Sequence, residues 1–441
     1  MKQSVWSHSV RLPKHDKLTG DKKTDVLIIG GGLCGILCAY YLKQSGIDYL
    51  LVEGSRTLSG VTKNTTAKIT SLHGLIYDKL LRTLGKEKAQ MYLTANQNAL
   101  FEYERICQEV DCDFEKKSAY TYSLSNRAKI ESEVSAANSL GFDAAFHEEI
   151  ELPFKTQGAV CFPGQAQFNP LKFIKEISKD LNIYENTFIR DITPHTAISD
   201  SGKITAKKII VATHFPFINK HGSYFLKLYQ HRSYVSAYEN AAQLDGMYVD
   251  EAQNGMSFRN YENLLLIGGG DHRTGKHGGN WQELNDFANA YYPQAQLKYE
   301  WATQDCMSLD HIPYIGQYSA RTPDLFVATG FNKWGMTSSM VAAQILCDMV
   351  SGRENEVAEV FSPQRSMLKP QLFVNGIEST INLLTPTPKR CPHLGCALKW
   401  NKAEHTWDCP CHGSRFDENG KLIDNPATGD ADIYYNKTKN P

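Results

Sequence analysis

Apolar and polar positions alternate near the start of the chain in the way expected of a strand, a helix and a second strand. Residues 25–29 form a short apolar run, which predicts a buried parallel strand. Residues 33–44 predict a helix that ends at Gly46, and residues 48–52 predict the next strand. Three consecutive glycines interrupt the uncharged stretch 26–42, so a membrane span there is disfavoured.

The rest of the chain changes pattern several times. Residues 72–149 are mostly helical in pattern, for example over 79–108 with a turn inside that range at Gly85. Residues 229–266 alternate polar and apolar side chains and contain many Tyr and Val, which favours antiparallel strands. A helix is predicted over 338–350, and the two prolines of 361–370 indicate a linker.

A glycine motif separates the first strand from the first helix. Gly30, Gly32 and Gly35 fit G-x-G-x-x-G, and Glu53 closes the second strand. In a dinucleotide fold the first glycine allows the tight turn, the second lets backbone approach a pyrophosphate, and the third lets the helix pack on the strand. The helix N-terminus then meets the phosphate charge, and Glu53 binds ribose hydroxyls. The alternative is a glycine turn in an unrelated α/β protein, which the strand–turn–helix–strand context disfavours.

Two cysteine- and histidine-rich boxes lie near the end of the chain, at 391–396 and 409–414. They supply two thiolates and two imidazoles, plus a spare cysteine in each box, and that set fits a [2Fe–2S] cluster with one iron held by two Cys and the other by two His. A structural zinc site is the alternative, although zinc is usually held by Cys-x2-4-Cys pairs.

These boxes resemble those of Rieske proteins of the disulfide-bearing, quinol-oxidising subtype. The resemblance implies that Cys391 and Cys409 bind one iron, His393 and His412 bind the other, and Cys396 and Cys411 form a disulfide. It also implies that the Ser414 hydroxyl hydrogen-bonds a cluster sulfur. Phe416 stands where the family has a Tyr that also bonds sulfur, so we expect a lower reduction potential. The family usually has more β structure before the first box, and either the segment 371–384 or the flavin module is expected to supply it.

The front of the chain resembles the D-amino-acid-oxidase-like flavoprotein family. The matching blocks are 60–67, 209–214, 310–316 and 324–337, in the family's order. The resemblance implies FAD, held by the glycine motif and Glu53, with further contacts from Thr62, Thr65, Thr66, Gly330, Gly335, Met336 and Thr337. A helix N-terminus near Gly335 suits the electron-rich end of a reduced flavin. Neither Cys306 nor Thr303 offers a thiol at the family's covalent position, so we expect non-covalent FAD.

The expected architecture is α/β plus β. The resemblance to the flavoprotein family implies a discontinuous Rossmann-like FAD domain (about 24–75, 150–215 and 300–360) that carries an antiparallel-sheet substrate domain (about 76–149 and 216–299). Together they form a module over 24–360, followed by a linker (361–380) and a small all-β Rieske domain (381–441). A chain of 441 residues suits two or three domains.

Net charge and cysteine content limit the kinds of binding partner and the cellular compartment that we expect. A net charge of −1 gives no electrostatic footprint for nucleic acid or an anionic membrane. Seven of the 11 cysteines are scattered outside the two boxes and indicate free thiols in a reducing compartment, so we expect a cytoplasmic protein without a membrane span.

The predicted function is that of an FAD-dependent oxidoreductase. A small-molecule amine or amino acid gives a hydride to FAD, and single electrons pass through the cluster to an external acceptor. The alternative is an electron-transfer or redox-sensing module without a metabolic substrate, and an external partner as electron donor stays open. No catalytic residue can be named. Asp271, His272, Arg273 and His277 could bind a substrate carboxylate, and a mononuclear iron site is a further alternative, but a solvated loop is favoured. Lys68 is expected near the flavin, and His214 as a strand-end residue.

Overall fold

A computed structural model describes residues 2–434. Its helices are α1 (Val5–Ser9), α2 (Leu33–Gln44), α3 (Tyr77–Leu84), α4 (Lys86–Cys107), α5 (Arg127–Ser139), α6 (Pro170–Ile177), α7 (Tyr224–Lys227), α8 (Asn280–Tyr291), α9 (Gly335–Val350), α10 (Ala358–Phe361) and α11 (Pro370–Leu384), with a 3₁₀ turn at Val61–Asn64. Its strands are β1 (Lys22–Ile29), β2 (Tyr49–Val52), β3 (Lys68–Ile69), β4 (Glu115–Tyr122), β5 (Ala145–His147), β6 (Ala159–Gln167), β7 (Ile183–Tyr184), β8 (Ile189–Thr193), β9 (Thr196–Ser199), β10 (Gly202–Val211), β11 (Leu228–Glu239), β12 (Gly246–Asp250), β13 (Ser257–Tyr261), β14 (Leu264–Arg273), β15 (Gln296–Ser308), β16 (Tyr314–Gln317), β17 (Leu325–Thr329), β18 (Lys399–Asn401), β19 (Thr406–Asp408), β20 (Arg415–Phe416) and β21 (Leu422–Asp424).

The first strand lies at the centre of sheet A, whose order is β16-β17-β10-β1-β2-β7, with β9 beside β10 and β8 beside β9. The strand β1 pairs in parallel with both β2 and β10. Its side chains alternate between two cores: Val26 and Ile28 face a core that includes α2 and α9, whereas Leu27 and Ile29 face the opposite one. Burial on both faces explains why the run of 25–29 is apolar throughout.

Sheet B has nine strands in the order β15-β11-β14-β13-β12-β4-β6-β3, with β5 beside β6. The antiparallel strands predicted over 229–266 are present, but β12 pairs with β4 in parallel. Two strands of sheet B, β3 and β6, lie in segments that the sequence assigned to the FAD domain, and β15 runs from the substrate segment into the FAD segment that starts at 300. The chain therefore passes between the FAD domain and the substrate domain within sheet B. The exact domain boundaries stay a prediction.

Sheet C, in the order β18-β19-β20-β21, is antiparallel; the first cysteine-rich box directly precedes β18, and the second connects β19 to β20. The expectation of β structure over 371–384 is wrong, because this segment forms the helix α11. Pro370 occupies the first turn, where proline favours a helix start. The buried residues of α11 are Asn375 and Asn382, seven positions apart on one helical face.

The fold class predicted from the sequence, α/β with an antiparallel sheet and a small β domain, is confirmed. The helical character of 72–149 is also present, as α3, α4 and α5. Within residues 2–434, no helix combines the length and the apolar character needed to cross a bilayer.

Candidate cofactor cavity and cluster site

A cavity of about 1340 Å³ lies at the carboxyl ends of β1, β10 and β17. In parallel sheets such an edge is the usual place for a ligand. The predicted residues that line it are Gly30, Gly32, Glu53, Thr62, Thr65, Thr66, Gly335 and Met336. Gly35, Gly330 and Thr337 were also predicted to hold the cofactor, but none of these three lines the cavity.

The glycine loop has the shape that a pyrophosphate needs. Gly30 has φ +113°, and a Cβ added there would lie 2.5 Å from the Ala212 carbonyl oxygen. A Cβ on Gly35 would lie 1.9 Å from the carbonyl oxygen of Gly30, so this glycine lets α2 approach β1. Gly32 caps α2 without a side-chain hydrogen bond, which leaves the start of the helix open toward the cavity.

Two side chains complete this end of the cavity. The backbone N–H of Leu33 donates to Thr62 Oγ1 at 3.1 Å. The Glu53 carboxylate accepts from Gly31 N at 2.7 Å and from Ser55 N at 2.9 Å. Burial raises the pKa of Glu53, whereas these backbone hydrogen bonds lower it. Glu53 is thus held at the end of β2 beside the glycine loop, as the dinucleotide motif predicts.

The opposite end of the cavity is formed by the start of α9. Gly335 is the first residue of this helix, and no side chain caps it. Thr337 points away from the cavity, because its hydroxyl donates to the Thr70 carbonyl at 3.1 Å and lies 2.9 Å from His73 Nε2. The His73 ring stacks on Trp334 with a centroid distance of 4.9 Å, and burial lowers the His73 pKa to about 3. Sequence reasoning missed this neutral, buried histidine.

The four predicted cluster ligands come together in the loops of sheet C. Cys391 and Cys409 are buried, and the rings of His393 and His412 lie 4.9 Å apart between centroids. Tight turns shape both loops: Gly395 N donates to Cys391 O at 2.9 Å, and Gly413 N donates to Cys409 O at 2.8 Å. Cys396 and Cys411 form a disulfide that joins the two boxes.

The protonation and bonding of these ligands fit an iron–sulfur cluster. Nδ1 of His393 and Nδ1 of His412 are both buried and have no hydrogen-bond partner among the described residues. Burial lowers the pKa of His393 to about 4 and that of His412 to about 3, which keeps both imidazoles neutral. A hydrogen bond from Cys409 lowers the pKa of the Cys391 thiol. The same contact and burial raise the pKa of Cys409, so the two sulfurs share a proton in the absence of metal. Two orphaned ring nitrogens and two buried cysteine sulfurs are the donors that one histidine-bound and one cysteine-bound iron require.

Ser414 lies where the resemblance places it. Its hydroxyl bonds the Cys391 sulfur, which lowers the pKa of that thiol, and its oxygen accepts from Ala427 N at 2.9 Å. Phe416 is fully buried in the core of sheet C and offers no hydroxyl.

The flavin module covers the histidines of the cluster site, His412 fully and His393 in part. His412 is only 3% exposed, and its ring lies 6.2 Å from the ring of Phe215 and 6.3 Å from that of Phe225. His393 Nε2 donates to Asn219 Oδ1 at 2.9 Å. All three neighbours belong to the segment 212–227, so the tip of the cluster domain is docked on the flavin module.

Polar side chains of sheet B hold this docking in place. Gln304 Nε2 donates to the Gly413 carbonyl at 2.9 Å, and Arg273 Nε donates to the Pro410 carbonyl at 3.1 Å. The guanidinium of Arg232 forms a two-pronged pair with Glu404, and the Arg415 guanidinium donates to the same carboxylate at 2.8 Å. Burial alone would raise the Glu404 pKa, but the two arginines outweigh it and lower the pKa to about 2.

The group Asp271, His272, Arg273 and His277 is neither a solvated loop throughout nor a metal site. Arg273 contacts the cluster loops, and Asp271 forms an ion pair with Lys333 in the cavity wall. His272 Nε2 bonds the Tyr234 hydroxyl at 3.0 Å, while His277 is exposed. The two histidines therefore do not converge on one ion.

A hydrogen-bonded chain joins the cavity to the cluster site. His214, which lines the cavity, donates from Nε2 to Gln230 Oε1 at 3.1 Å, and Gln230 Nε2 donates to the His412 carbonyl at 3.0 Å. Segment 422–430 of the cluster domain also forms part of the cavity wall. Sequence analysis treated His214 as a strand-end residue and gave no signal for Gln230, because the contact depends on domain docking.

Buried charges line the middle of the cavity. Lys68 Nζ contacts only hydroxyls, Thr66 Oγ1 at 3.2 Å and Ser257 Oγ at 3.4 Å, and burial with nearby Arg259 lowers its pKa to about 7. Asp305 is buried beside the Asp271–Lys333 pair, and its burial raises the pKa to about 6. Lys68 was expected near the flavin, whereas Asp305 was not singled out.

Comparison with known proteins divides the chain into the same two regions, the flavin module and the cluster domain. Residues 25–349 match the family described as FAD dependent oxidoreductase, and residues 373–435 match the Rieske [2Fe-2S] domain. YhfW of Bacillus subtilis (strain 168), named as a candidate Rieske 2Fe-2S iron-sulfur protein, is 34% identical over 96% of each chain. L-proline dehydrogenase from P. horikoshii superposes with a TM-score of 0.66 at 14% identity, covering 78% of this chain and 98% of its own. Glycine oxidase from Geobacillus kaustophilus gives 0.65 at 18% identity, covering 78% and 100%.

Proposed function

Because the chain belongs to the FAD dependent oxidoreductase family and ends in a Rieske [2Fe-2S] domain, we propose that it oxidises an amine or amino acid and passes the electrons through its own cluster to an external acceptor. Its cofactors are FAD and a [2Fe–2S] cluster. The observation that supports the proposal most directly is the chain from His214 through Gln230 to the backbone of His412, which leads from the cavity to a predicted cluster ligand.

The two cofactors supply complementary chemistry: FAD takes two electrons from a substrate and gives them up singly, and the cluster carries one at a time. The protein's contribution is to hold the two sites together. Gln230, Gln304 and Arg273 bond the backbone of the second cluster loop, and segment 422–430 closes one side of the cavity. Docking of this kind keeps the transfer distance short and excludes water.

The roles of the individual residues are part of the proposal. In it, Gly30, Gly32, Glu53 and Thr62 hold the pyrophosphate and ribose, while Thr65, Thr66, Gly335 and Met336 face the flavin ring. Gly35, Gly330 and Thr337 act indirectly, by packing. Cys391, Cys409, His393 and His412 ligate iron, and the Cys396–Cys411 disulfide ties their loops.

The charges in the cavity support a substrate with both an amine and a carboxylate. Lys68 is a half-buried amine whose hydrogen-bond partners are hydroxyls, so a carboxylate placed there would raise its pKa and hold its proton. The cavity wall also carries two acidic side chains, Asp305 and Asp271, whose charge is opposite to that of Lys68. Asp271 Oδ1 has no partner among the described residues. A carboxylate with a pKa of about 6, as at Asp305, can accept a proton from a substrate ammonium near neutral pH.

The compartment is a further part of the proposal. All seven cysteines outside the two boxes are unpaired thiols, and six of the seven are buried. This usage supports the reducing cytoplasm.

Anaerobic stopped-flow spectroscopy on the holoenzyme tests the proposal. Amines and amino acids are screened, and flavin bleaching should be followed by reduction of the cluster. In Gln230→Leu the flavin should bleach at the wild-type rate, and cluster reduction should slow by about tenfold or more. Gln157→Leu, at an exposed position remote from the docking contacts, serves as the control.

Two results would contradict the proposal. If flavin bleaching by a substrate leaves the cluster oxidised, intramolecular transfer is wrong. If no amine, amino acid or hydroxy acid bleaches the flavin and only a protein partner reduces the enzyme, the electron-transfer or redox-sensing module is the better description.

A further inference from the structure

The helix α11 is inverted relative to a normal surface helix, because its apolar side chains face solvent. Phe373 is 67% exposed, Ile377 is 62% exposed and Ile381 is 57% exposed, while Asn375 and Asn382 are each 2% exposed. Surface helices of water-soluble domains show the opposite arrangement.

Polar contacts fix this orientation. The Asn375 side chain accepts from Arg273 NH1 at 3.0 Å and donates to the Leu226 carbonyl at 3.3 Å. Glu378 forms an ion pair with Lys276. These bonds would be lost if α11 rotated to bury its apolar side, so the apolar face is directed outward by the fold itself.

The apolar face continues beyond the helix and reaches the cluster loops. Leu368 before the helix and Leu384 at its end are 79% and 78% exposed, and Leu394, next to His393, is 40% exposed. We call the set Leu368, Phe373, Ile377, Ile381, Leu384 and Leu394 the apolar face. Exposed large apolar side chains grouped along one helix and the loops at its ends are the kind of surface that marks an interaction site.

Positive charge accompanies the apolar face. The segment 366–403 contains five lysines and arginines and a single acidic residue, Glu378, in a chain whose net charge is −1. Lys369 precedes α11, and Lys389 and Arg390 follow it. Among the described residues none of these three has a carboxylate within ion-pair distance, and Arg390 donates only to backbone carbonyls.

We propose that the apolar face docks on an anionic lipid surface, with α11 lying in the plane of the interface. Exposed apolar side chains between basic ends are the pattern of a helix that enters the boundary between headgroups and acyl chains. At 15 residues α11 is about 22 Å long, which suits lying on a bilayer and is too short for crossing it.

The charges also favour a lipid surface over a second copy of the chain as the partner that covers the apolar face. In a two-fold symmetric pair of antiparallel helices, Lys369 of one copy would meet Lys389 and Arg390 of the other, and like charges would repel. An anionic lipid surface complements the same three cations. Docking would bring Leu394, and with it the cluster loop, to the membrane surface; this inference does not depend on the identity of the substrate.

Vesicle flotation of the holoprotein tests the inference. Wild type should float with vesicles of 30% phosphatidylglycerol in phosphatidylcholine, and binding should fall at least fivefold when salt rises to 0.5 M. The triple variant Phe373→Ser/Ile377→Ser/Ile381→Ser should lose at least tenfold in partitioning, with flavin and cluster absorbance unchanged. Phe101→Ser, an exposed phenylalanine on α4 that is 59% exposed, is the matched control and should float as wild type does.

Light scattering on the same samples shows whether the protein is a monomer or a dimer. A monomer that floats with anionic vesicles, and a triple variant that does not, support the inference. A dimer that the triple variant dissociates, without flotation of the wild type, would show that a second copy covers the face and would overturn it. A wild-type monomer that stays with the soluble fraction would overturn it as well.

Discussion

Replacing Glu404 with Gln should loosen the cluster domain from the flavin module. The carboxylate is 11% exposed and lies between the guanidinium groups of Arg232 and Arg415, whose side chains are 3% and 6% exposed. Removing the negative charge leaves the buried Arg232 without a carboxylate, whereas Arg415 keeps its pairs with Asp408 and Asp424. Breaking a buried ion pair by removing one partner costs about 3–5 kcal/mol.

The pKa of Glu404 gives a second estimate of how much the carboxylate contributes to stability. It falls from an ordinary value of 4.5 to about 2, which is worth about 3 kcal/mol of stability at neutral pH. Because the folded-state pKa is depressed, this stability is present above pH 4.5 and is lost as the pH falls toward 2. Wild type and Glu404→Gln should therefore differ most near neutral pH and converge between pH 4.5 and pH 2.

Thermal melts of the holoprotein, followed by cluster absorbance and by flavin fluorescence, measure the effect. Cluster bleaching should shift down by about 5–10 °C in Glu404→Gln and should separate from flavin release. Glu359→Gln is the control, since the Lys88–Glu359 pair is exposed and should contribute less than about 1 kcal/mol. Equal cluster-bleaching temperatures in wild type and Glu404→Gln would refute the reasoning.

Three further outcomes are expected. Phe416→Tyr should raise the reduction potential of the cluster in a redox titration, because a hydroxyl near sulfur stabilises the reduced state; an unchanged potential would rule out that hydrogen bond. Gly35→Ala should abolish or strongly weaken FAD retention after gel filtration, since the added Cβ would clash with the Gly30 carbonyl at 1.9 Å, and full flavin occupancy would contradict the packing argument. Acid precipitation should release all flavin to the supernatant, because burial raises the pKa of the Cys306 thiol to about 12 and Thr303 has no thiol; yellow colour in the pellet would refute non-covalent binding.

The parts that sequence predicted well depend on local chemistry. The glycine loop, Glu53 and the two cysteine- and histidine-rich boxes each fit within a few turns of chain, so spacing alone fixes their geometry. The periodicity of 25–52 and 229–266 predicted a nucleotide-binding strand–helix–strand unit and antiparallel strands, and the resemblance to two families supplied the rest of the α/β plus β architecture.

The parts that sequence missed depend on long-range packing. Gln230 and Arg273 matter because strands far apart in the chain meet the cluster loops, and no local pattern marks such contacts. β structure over 371–384 was expected only from the resemblance to Rieske proteins, which usually have more β structure before the first box. The polar residues of this segment, Asn375, Glu378 and Asn382, recur at helical spacing, and that was the available signal for α11.

The strand β21 and the loop after it affect what happens if the N-terminal portion is expressed without the cluster domain. Since residues 422–430 form one side of the cavity, the N-terminal portion expressed by itself would have an open flank admitting water and dioxygen to the reaction centre. The C-terminal portion therefore also encloses the cavity of the N-terminal portion, in addition to holding the cluster ligands.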